Sequence, residues 1–320
     1  MKTTHYAAFW NLENLFDIEN SPRRSDKLAR TLAKELKGWN QAALDRKLSQ
    51  LAGIIMKFNG GRGPDILCVC EVENRCVLEQ LRGVIAALGR QYGIAHADTL
   101  DERGIDVAFF FDQSRYTAEN VFSHFLIKRV ATRDIVQVNL RTTEGHLLVV
   151  VGCHWPSRTG GQLESEPYRM LAGETLAYFH ERIREVHGPE TAILVMGDFN
   201  DEPFSRSLVQ YALSERQRAR VTRARTGRLW NLMWPLLGQA RGTHYFENTA
   251  NVLDQVLVSK SLATGASGFR VVDDSVRIEA FPEMTGAGDY PGPIRYGRGS
   301  ALNQNGFSDH FPVSVTIREG

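Results

Sequence analysis

Six short polar clusters in this chain stand at the ends of apolar runs: Asn11-Leu12-Glu13, Glu71, His154, Gly197-Asp198-Phe199-Asn200, Asp254 and Ser308-Asp309-His310. Taken singly, each has a plain structural explanation. A carboxylate that closes a strand caps a helix or meets an arginine, and a histidine there is a satisfied surface group. Taken together, they hold what metal-assisted hydrolysis of a phosphodiester requires. Hard oxygen donors suit Mg2+ or Mn2+, which offsets the charge of the phosphate and of the leaving oxygen. A carboxylate and an imidazole can orient and deprotonate water.

The elements that must position these groups are legible in the hydrophobic pattern. Residues 6–10, 66–70, 107–111, 147–151 and 192–196 are apolar and rich in β-branched or aromatic side chains, which predicts buried strands. Between them, Leu44, Leu48, Leu51, Ile55 and Phe58 recur at intervals of three and four, as do Tyr168, Ala172, Leu176, Phe179 and Ile183. Each set gives a helix one apolar stripe that must pack on a sheet. Residues 116–127, 133–140 and 146–151 follow one another with turn-sized gaps, so antiparallel pairing is expected there. Mixed sheets covered by helices, with no Pro/Gly-rich linker, predict one α/β domain over residues 1–320. Site residues then belong at strand ends, where such sheets usually carry them. Residues 205–242 and 282–306 read as long loops holding a short helix.

Composition excludes several classes. The chain has 42% hydrophobic and 23% charged residues, which rules out a disordered or fibrous protein. Its 38 Lys and Arg against 37 Asp and Glu give a net charge of +1, so any affinity for a polyanion must be local. The first ten residues lack a secretory apolar run, and no stretch reaches the roughly 18 apolar residues of a membrane helix. A cytoplasmic monomer that does not engage membranes is the expectation. Cys68, Cys70, Cys76 and Cys153 read as buried thiols, since no second Cys or His pair at ligand spacing completes a zinc site.

In that order, Asn11/Glu13, Glu71, His154, Asp198/Asn200, Asp254 and Asp309/His310 resemble the endonuclease/exonuclease/phosphatase superfamily, over residues 9–313. The wording Trp10-Asn-Leu-Glu-Asn-Leu-Phe-Asp17, Arg103-Gly-Ile-Asp-Val-Ala108 and His154-Trp-Pro-Ser-Arg158 resembles a bacterial branch described as nucleases. The resemblance implies a four-layer α/β sandwich, two mixed and mainly antiparallel sheets packed face to face between helices. It implies Glu71 as principal ligand of Mg2+ or Mn2+, with Glu13, Asn11 and Asp309 assisting. Asn200 would bind the scissile phosphate or the attacking water, and Asp198 would activate that water. His310, paired with Asp254, would contact the phosphate or share the proton transfer.

His154 would stand near the leaving group as a protonated imidazole, provided a carboxylate raises its pKa. Asp106 is the candidate for that carboxylate, with a salt bridge to Arg103 as the equal alternative. Arg158, Arg295 and Arg298 lie in loops near the motifs, and a guanidinium suits phosphate oxygens. The arginine run from Arg216 to Arg228, followed by Trp230 and Trp234, reads first as a solvated loop before a core-packed helix and second as a phosphate-tracking patch with stacking aromatics. Gly60-Gly-Arg-Gly63 lacks the following Gly-Lys-Ser/Thr and reads as a turn.

Three functions compete. A nuclease on DNA or RNA leads, a phosphatase or phosphodiesterase on a small, inositol or lipid phosphate comes second, and a non-catalytic binding module is third. The third is disfavoured because Glu71, Asp198, Asn200, Asp254, Asp309 and His310 are all present.

Overall fold

Runs that are apolar at every position suit strands with both faces covered, and the longest of them form the centre of this protein. The computed structural model describes residues 3–129 and 132–320, leaving Met1, Lys2, Val130 and Ala131 outside. In chain order the strands are β1 (Thr3–Leu15), β2 (Ile66–Val72), β3 (Tyr92–His96), β4 (Asp106–Asp112), β5 (Tyr116–His124), β6 (Ile135–Thr142), β7 (Leu147–His154) and β8 (Ala192–Asp198). They continue with β9 (Ser214–Glu215), β10 (Leu229–Asn231), β11 (His244–Phe246), β12 (Thr249–Asn251), β13 (Asp254–Ser259), β14 (Phe269–Val271), β15 (Arg277–Ile278) and β16 (Val313–Glu319).

Two seven-stranded sheets result. The first runs β14-β16-β1-β2-β4-β3 with β15 beside β16, and the second runs β5-β6-β7-β8-β13-β10-β9. The pairs β1/β2, β7/β8 and β9/β10 are parallel and the rest antiparallel.

Strand alternation sorts the side chains into layers. Ala7, Phe9, Cys68, Phe109, Val150, Leu194, Met196 and Val256 meet between the sheets. Their neighbours in sequence face outward: Ala8, Trp10 and Val69 pack against the helices Gln41–Ile55 and Arg75–Ile85. Val149, Val151, Ile193 and Val195 pack against the helix Gln162–His187. Asn40 and Asn74 cap the two helices of the first layer, accepting from the amides of Ala43 (3.1 Å) and Val77 (3.2 Å). This is the four-layer sandwich that the resemblance implied.

Two expectations need correction. The segment 205–242, read as a loop, contributes β9 and β10 to the edge of the second sheet. Strands of two and three residues hold too little alternation to stand out in a sequence. The run expected over 116–127 stops pairing at His124, and Phe125 and Ile127 beyond it are exposed. All four cysteines are free, and Cys68, Cys70 and Cys153 are buried. Among the described residues no helix is long and apolar enough to cross a membrane.

Candidate active site

The site forms where the inner faces of both sheets reach their common end. His154, Asp198 and Asp254 occupy one row across three neighbouring strands, with His154 opposite Asp198 and Asp198 opposite Asp254. By parity each follows Val150, Met196 or Val256 onto the inter-sheet side, where Asn11 arrives from β1 on the parity of Ala7 and Phe9. Close approach of β7 and β8 depends on Gly197, since a Cβ there would lie 2.2 Å from the Cys153 carbonyl oxygen.

Parity alone would turn Glu71 away, because Cys68 and Cys70 already take the inner face. Glu71 adopts φ 60°, and the register of β2 against β4 shifts between Cys70 and Val72. The bulge re-aims its carboxylate. Glu13 (φ 48°), Asn14 (φ 58°) and Asn200 (φ 50°) are also left-handed, so costly backbone conformations gather in one place, as they do at functional sites.

Asp198 is the hub. Its Oδ2 accepts from the Asn11 amide at 3.1 Å, and its Oδ1 accepts from the Asn200 backbone N–H at 2.9 Å. His310 Nε2 lies 3.7 Å and His154 Nε2 3.8 Å from Oδ2, and His154 also comes within 3.7 Å of Glu71. On its other nitrogen, His310 Nδ1 bonds Asp254 at 2.8 Å. Burial opposes a charge on His310, yet the Asp254 and Asp198 carboxylates outweigh it and hold the imidazole protonated well above its ordinary range. Burial and the nearby Asp254 charge push Asp198 up to about 6, against the pull of His310. A carboxylate at that level can accept a proton near neutral pH.

Glu71, Asp198, Asn200, Asp254 and His310 therefore share one centre. Ser308 ties the segment before β16 to β1, donating to the Asn11 carbonyl (2.6 Å) and accepting from the His310 N–H (3.2 Å). Trp10 Nε1 donates to the His310 carbonyl at 2.9 Å.

The acidic side of the site suits a hard divalent cation. Glu13, Glu71, Asp309 and the Asn11 amide oxygen are hard donors. Burial, then Glu13 and Glu71, push Asp309 up to about 7, which marks a carboxylate group short of positive charge. Part of that charge comes from the protein. Arg295 Nη2 bridges Glu13 (2.9 Å) and Asp309 (3.3 Å), and the Tyr296 N–H donates to Glu13 at 2.8 Å. Beneath them lies Lys47, 1% exposed, donating to the Glu13 carbonyl. Burial lowers its pKa to about 8 even with Glu13, Glu71 and Asp309 drawing it upward. The tightest ligating groups at the site, with donor atoms within 4.8 Å of one another, are Asp198/Asp254/His310 and His244/Asp309/His310. The expected Glu71/Glu13/Asp309 set is looser, because the Arg295 guanidinium stands between two of its members.

Three expectations fail on geometry. Asp106 does not reach His154 or Arg103: its carboxylate bonds His96 (3.2 Å) and the Thr99 hydroxyl (2.6 Å) and N–H (3.0 Å). His96 sits on the adjacent strand β3, a partner that sequence proximity did not suggest. His154 is thus without that partner, and burial followed by Arg133, Arg103 and His310 drives its pKa well below normal. Arg298 turns outward to Glu35 at 2.7 Å. Of the other arginines, Arg295 bridges acidic ligands, and Arg158 donates to the Asn200 carbonyl at 2.7 Å and pairs with Asp201 at 3.3 Å. The run Arg216 to Arg228 lies toward the Ser259 end of β13, with Arg218 on Asp273 and Arg228 on Glu215.

Sequence reasoning missed Lys47, Thr243 and His244. A signal for Lys47 existed: it falls three residues after Leu44, inside the apolar stripe. Thr243, fully buried, accepts through Oγ1 from the N–H groups of Leu253 (3.0 Å) and Asp254 (3.2 Å). The His244 ring lies 4.7 Å from that of His310, tilted by 44°, and burial with His310, Arg295 and Arg158 lowers its pKa to about 3. A three-residue strand gave no sign of either.

A family model described as "Endonuclease/Exonuclease/phosphatase family" matches residues 6–319. No curated protein matches the sequence. Among solved structures, an endonuclease/exonuclease/phosphatase family protein from Bacteroides thetaiotaomicron superposes with a TM-score of 0.59 at 15% identity, covering 100% of this chain and 99% of that one. The human Nocturnin catalytic domain with bound sulfate gives 0.58 at 16%, covering 99% and 95%. ANGEL2, described as a 2′,3′-cyclic phosphatase and bound to adenosine-2′,3′-vanadate, gives 0.60 at 14%, covering 99% and 96%. At these identities the superpositions speak to the fold.

Proposed function

The chain belongs to the endonuclease/exonuclease/phosphatase family, and from that footing we propose that it is a Mg2+- or Mn2+-dependent phosphodiester hydrolase acting on DNA or RNA. The observation that carries this reading is the convergence on Asp198 of Asn11 from β1, His154 from β7 and His310 from the segment before β16, with Asn200 in the turn that follows Asp198.

Glu71, Glu13, Asp309 and Asn11 would hold the cation. When bound, it neutralises phosphate charge and eases departure of the leaving oxygen. Asp198, with its raised pKa, takes a proton from the attacking water, and the Asn200 amide fixes that water or the phosphate. His310, kept cationic by Asp254, binds a phosphate oxygen and stabilises the charge that develops there. Neutral His154 donates a hydrogen bond beside it and is not the general acid. Arg158 reaches toward the substrate from the loop after β7, while Arg295 keeps Glu13 and Asp309 in place.

The second reading is a phosphatase or phosphodiesterase on a small or lipid-linked phosphate, favoured by the net charge of +1, which provides no general attraction for a long polyanion. Purified protein with Mg2+ or Mn2+ is to be assayed on plasmid, single-stranded DNA, RNA, bis-p-nitrophenyl phosphate and inositol phosphates, with EDTA as control. Metal-dependent cleavage of a nucleic acid is expected. Activity confined to the last two substrates would move the assignment to the second reading, and no activity on any would remove both.

A further inference from the structure

Next to the Asp198 centre lies a cleft of about 630 Å3, with Asn200 and His310 at the end nearest the site. One wall is the hairpin of β11 and β12, turned by Glu247 (φ 46°) and Asn248 (φ 63°), a left-handed pair that makes a tight two-residue loop. Alternation places His244 and Phe246 on one face, across the ladder from Asn251 and Thr249, and all four line the cleft. Tyr245 turns the other way and packs on Gly292 and Phe311.

The opposite wall is the loop after β7, with Ser157, Arg158 and Thr159, and Gln162 at the start of the helix that follows. Fully buried Arg169 anchors this loop, donating to the Gln162 carbonyl at 2.9 Å and pairing with Asp201 at 2.9 Å. Asp201 in turn pairs with Arg158. Both walls are thus tied to strands that carry site residues, β7 and β13, and their geometry is set before any ligand arrives.

The lining selects the occupant. Phe246, 65% exposed, offers an aromatic face, and Leu253 is the other large apolar residue of the cleft. That is too little continuous apolar surface for an acyl chain. The walls carry one guanidinium and one carboxylate, Arg158 and Glu247, and His310 adds a single imidazolium at the end nearest the site, whereas a polyphosphorylated headgroup needs several cations grouped together. The rest are hydroxyls, amides and one neutral imidazole. Such a lining matches one flat ring with a polar edge, joined through a sugar to a phosphate.

We infer that this cleft seats one unpaired nucleoside of the substrate, its base against Phe246, its edge on Thr249, Asn251 or Gln162, and Arg158 toward the phosphate. The position beside the scissile bond rests on the phosphodiesterase reading above. A base still paired and stacked in a duplex would not enter, so single strands, ends or small nucleotides are the substrates.

Calorimetric binding to the full chain tests this without turnover, using a nucleoside 5′-monophosphate, ribose 5-phosphate and inorganic phosphate as probes. The nucleotide should bind about tenfold more tightly than ribose 5-phosphate, the scale of one base–aromatic stack. Phe246→Ala should erase that preference while leaving ribose 5-phosphate affinity as it was, and Phe246→Tyr should restore it. Equal binding of nucleotide and sugar phosphate, or a preference that survives Phe246→Ala, overturns the inference. So does cleavage of duplex DNA as fast as of the same sequence single-stranded. The preference found without hydrolysis would leave the cleft assignment standing and sink the functional reading; hydrolysis found without the preference would do the reverse.

Discussion

Asp198 and His310 sit within 3.7 Å of each other, and Asp254 decides how they share charge. With Asp254 anionic, the imidazole stays protonated and Asp198 is the group left to accept a proton. Replacing Asp254 by Asn removes the larger carboxylate attraction on His310, whose pKa then falls toward its ordinary value. If the cationic form is the active one, as proposed, the alkaline limb of the pH–rate profile should move to lower pH. Turnover should also drop by about 10²–10³, as expected when one charge-stabilising group is lost. A pH–kcat profile measured on Asp254→Asn checks both. An unshifted limb would mean that His310 does not act as a cation. These residues were legible in the sequence because Asp198 closes an apolar run, Asp254 opens one and His310 stands just before another, and parity fixes the face of the first two. The His154 partner was not, because its environment comes from Arg133, Arg103 and His310, groups scattered along the chain.

At the level of elements, the short ones were least legible and matter most. Thr243 precedes a three-residue strand, yet its hydroxyl receives two backbone N–H groups at the start of β13, and its carbonyl accepts from Phe311 at 2.7 Å. It therefore couples the Asp254 strand to the segment that bears His310. Thr243→Val keeps the shape but leaves those N–H groups without an acceptor. It should cost about 1–3 kcal/mol in urea unfolding and reduce turnover, with Thr243→Ser close to wild type. The helix Gln41–Ile55 was predicted from its stripe, but the stripe was read for apolar residues alone, so Lys47 passed unremarked. The long strands raised no such difficulty: in β1, β2, β4, β7 and β8 uninterrupted apolar residues leave no alternative to a doubly covered sheet.

The whole molecule carries a net charge of +1, and its six-arginine run sits away from the site, partly neutralised by Asp273 and Glu215. Few phosphates are then neutralised when substrate binds. For single-stranded DNA, the logarithm of affinity against that of salt concentration should slope no more steeply than about −2, since each neutralised phosphate adds about −0.7. Engagement of all six arginines would steepen it to about −4. A fluorescence titration between 50 and 200 mM salt, concentrations chosen from the range where this effect is large, separates the two. The architecture itself rests on two sheets whose inner faces end together, and the central claim is that this shared end works as one cation-dependent hydrolytic centre. The most direct test is cleavage of single-stranded DNA with Mn2+ by wild type and by Glu71→Gln, with circular dichroism confirming that the variant is folded. Loss of about a thousandfold or more in the variant, and of all activity with EDTA, is the expected result. A folded Glu71→Gln protein that cleaves at the wild-type rate would contradict the account.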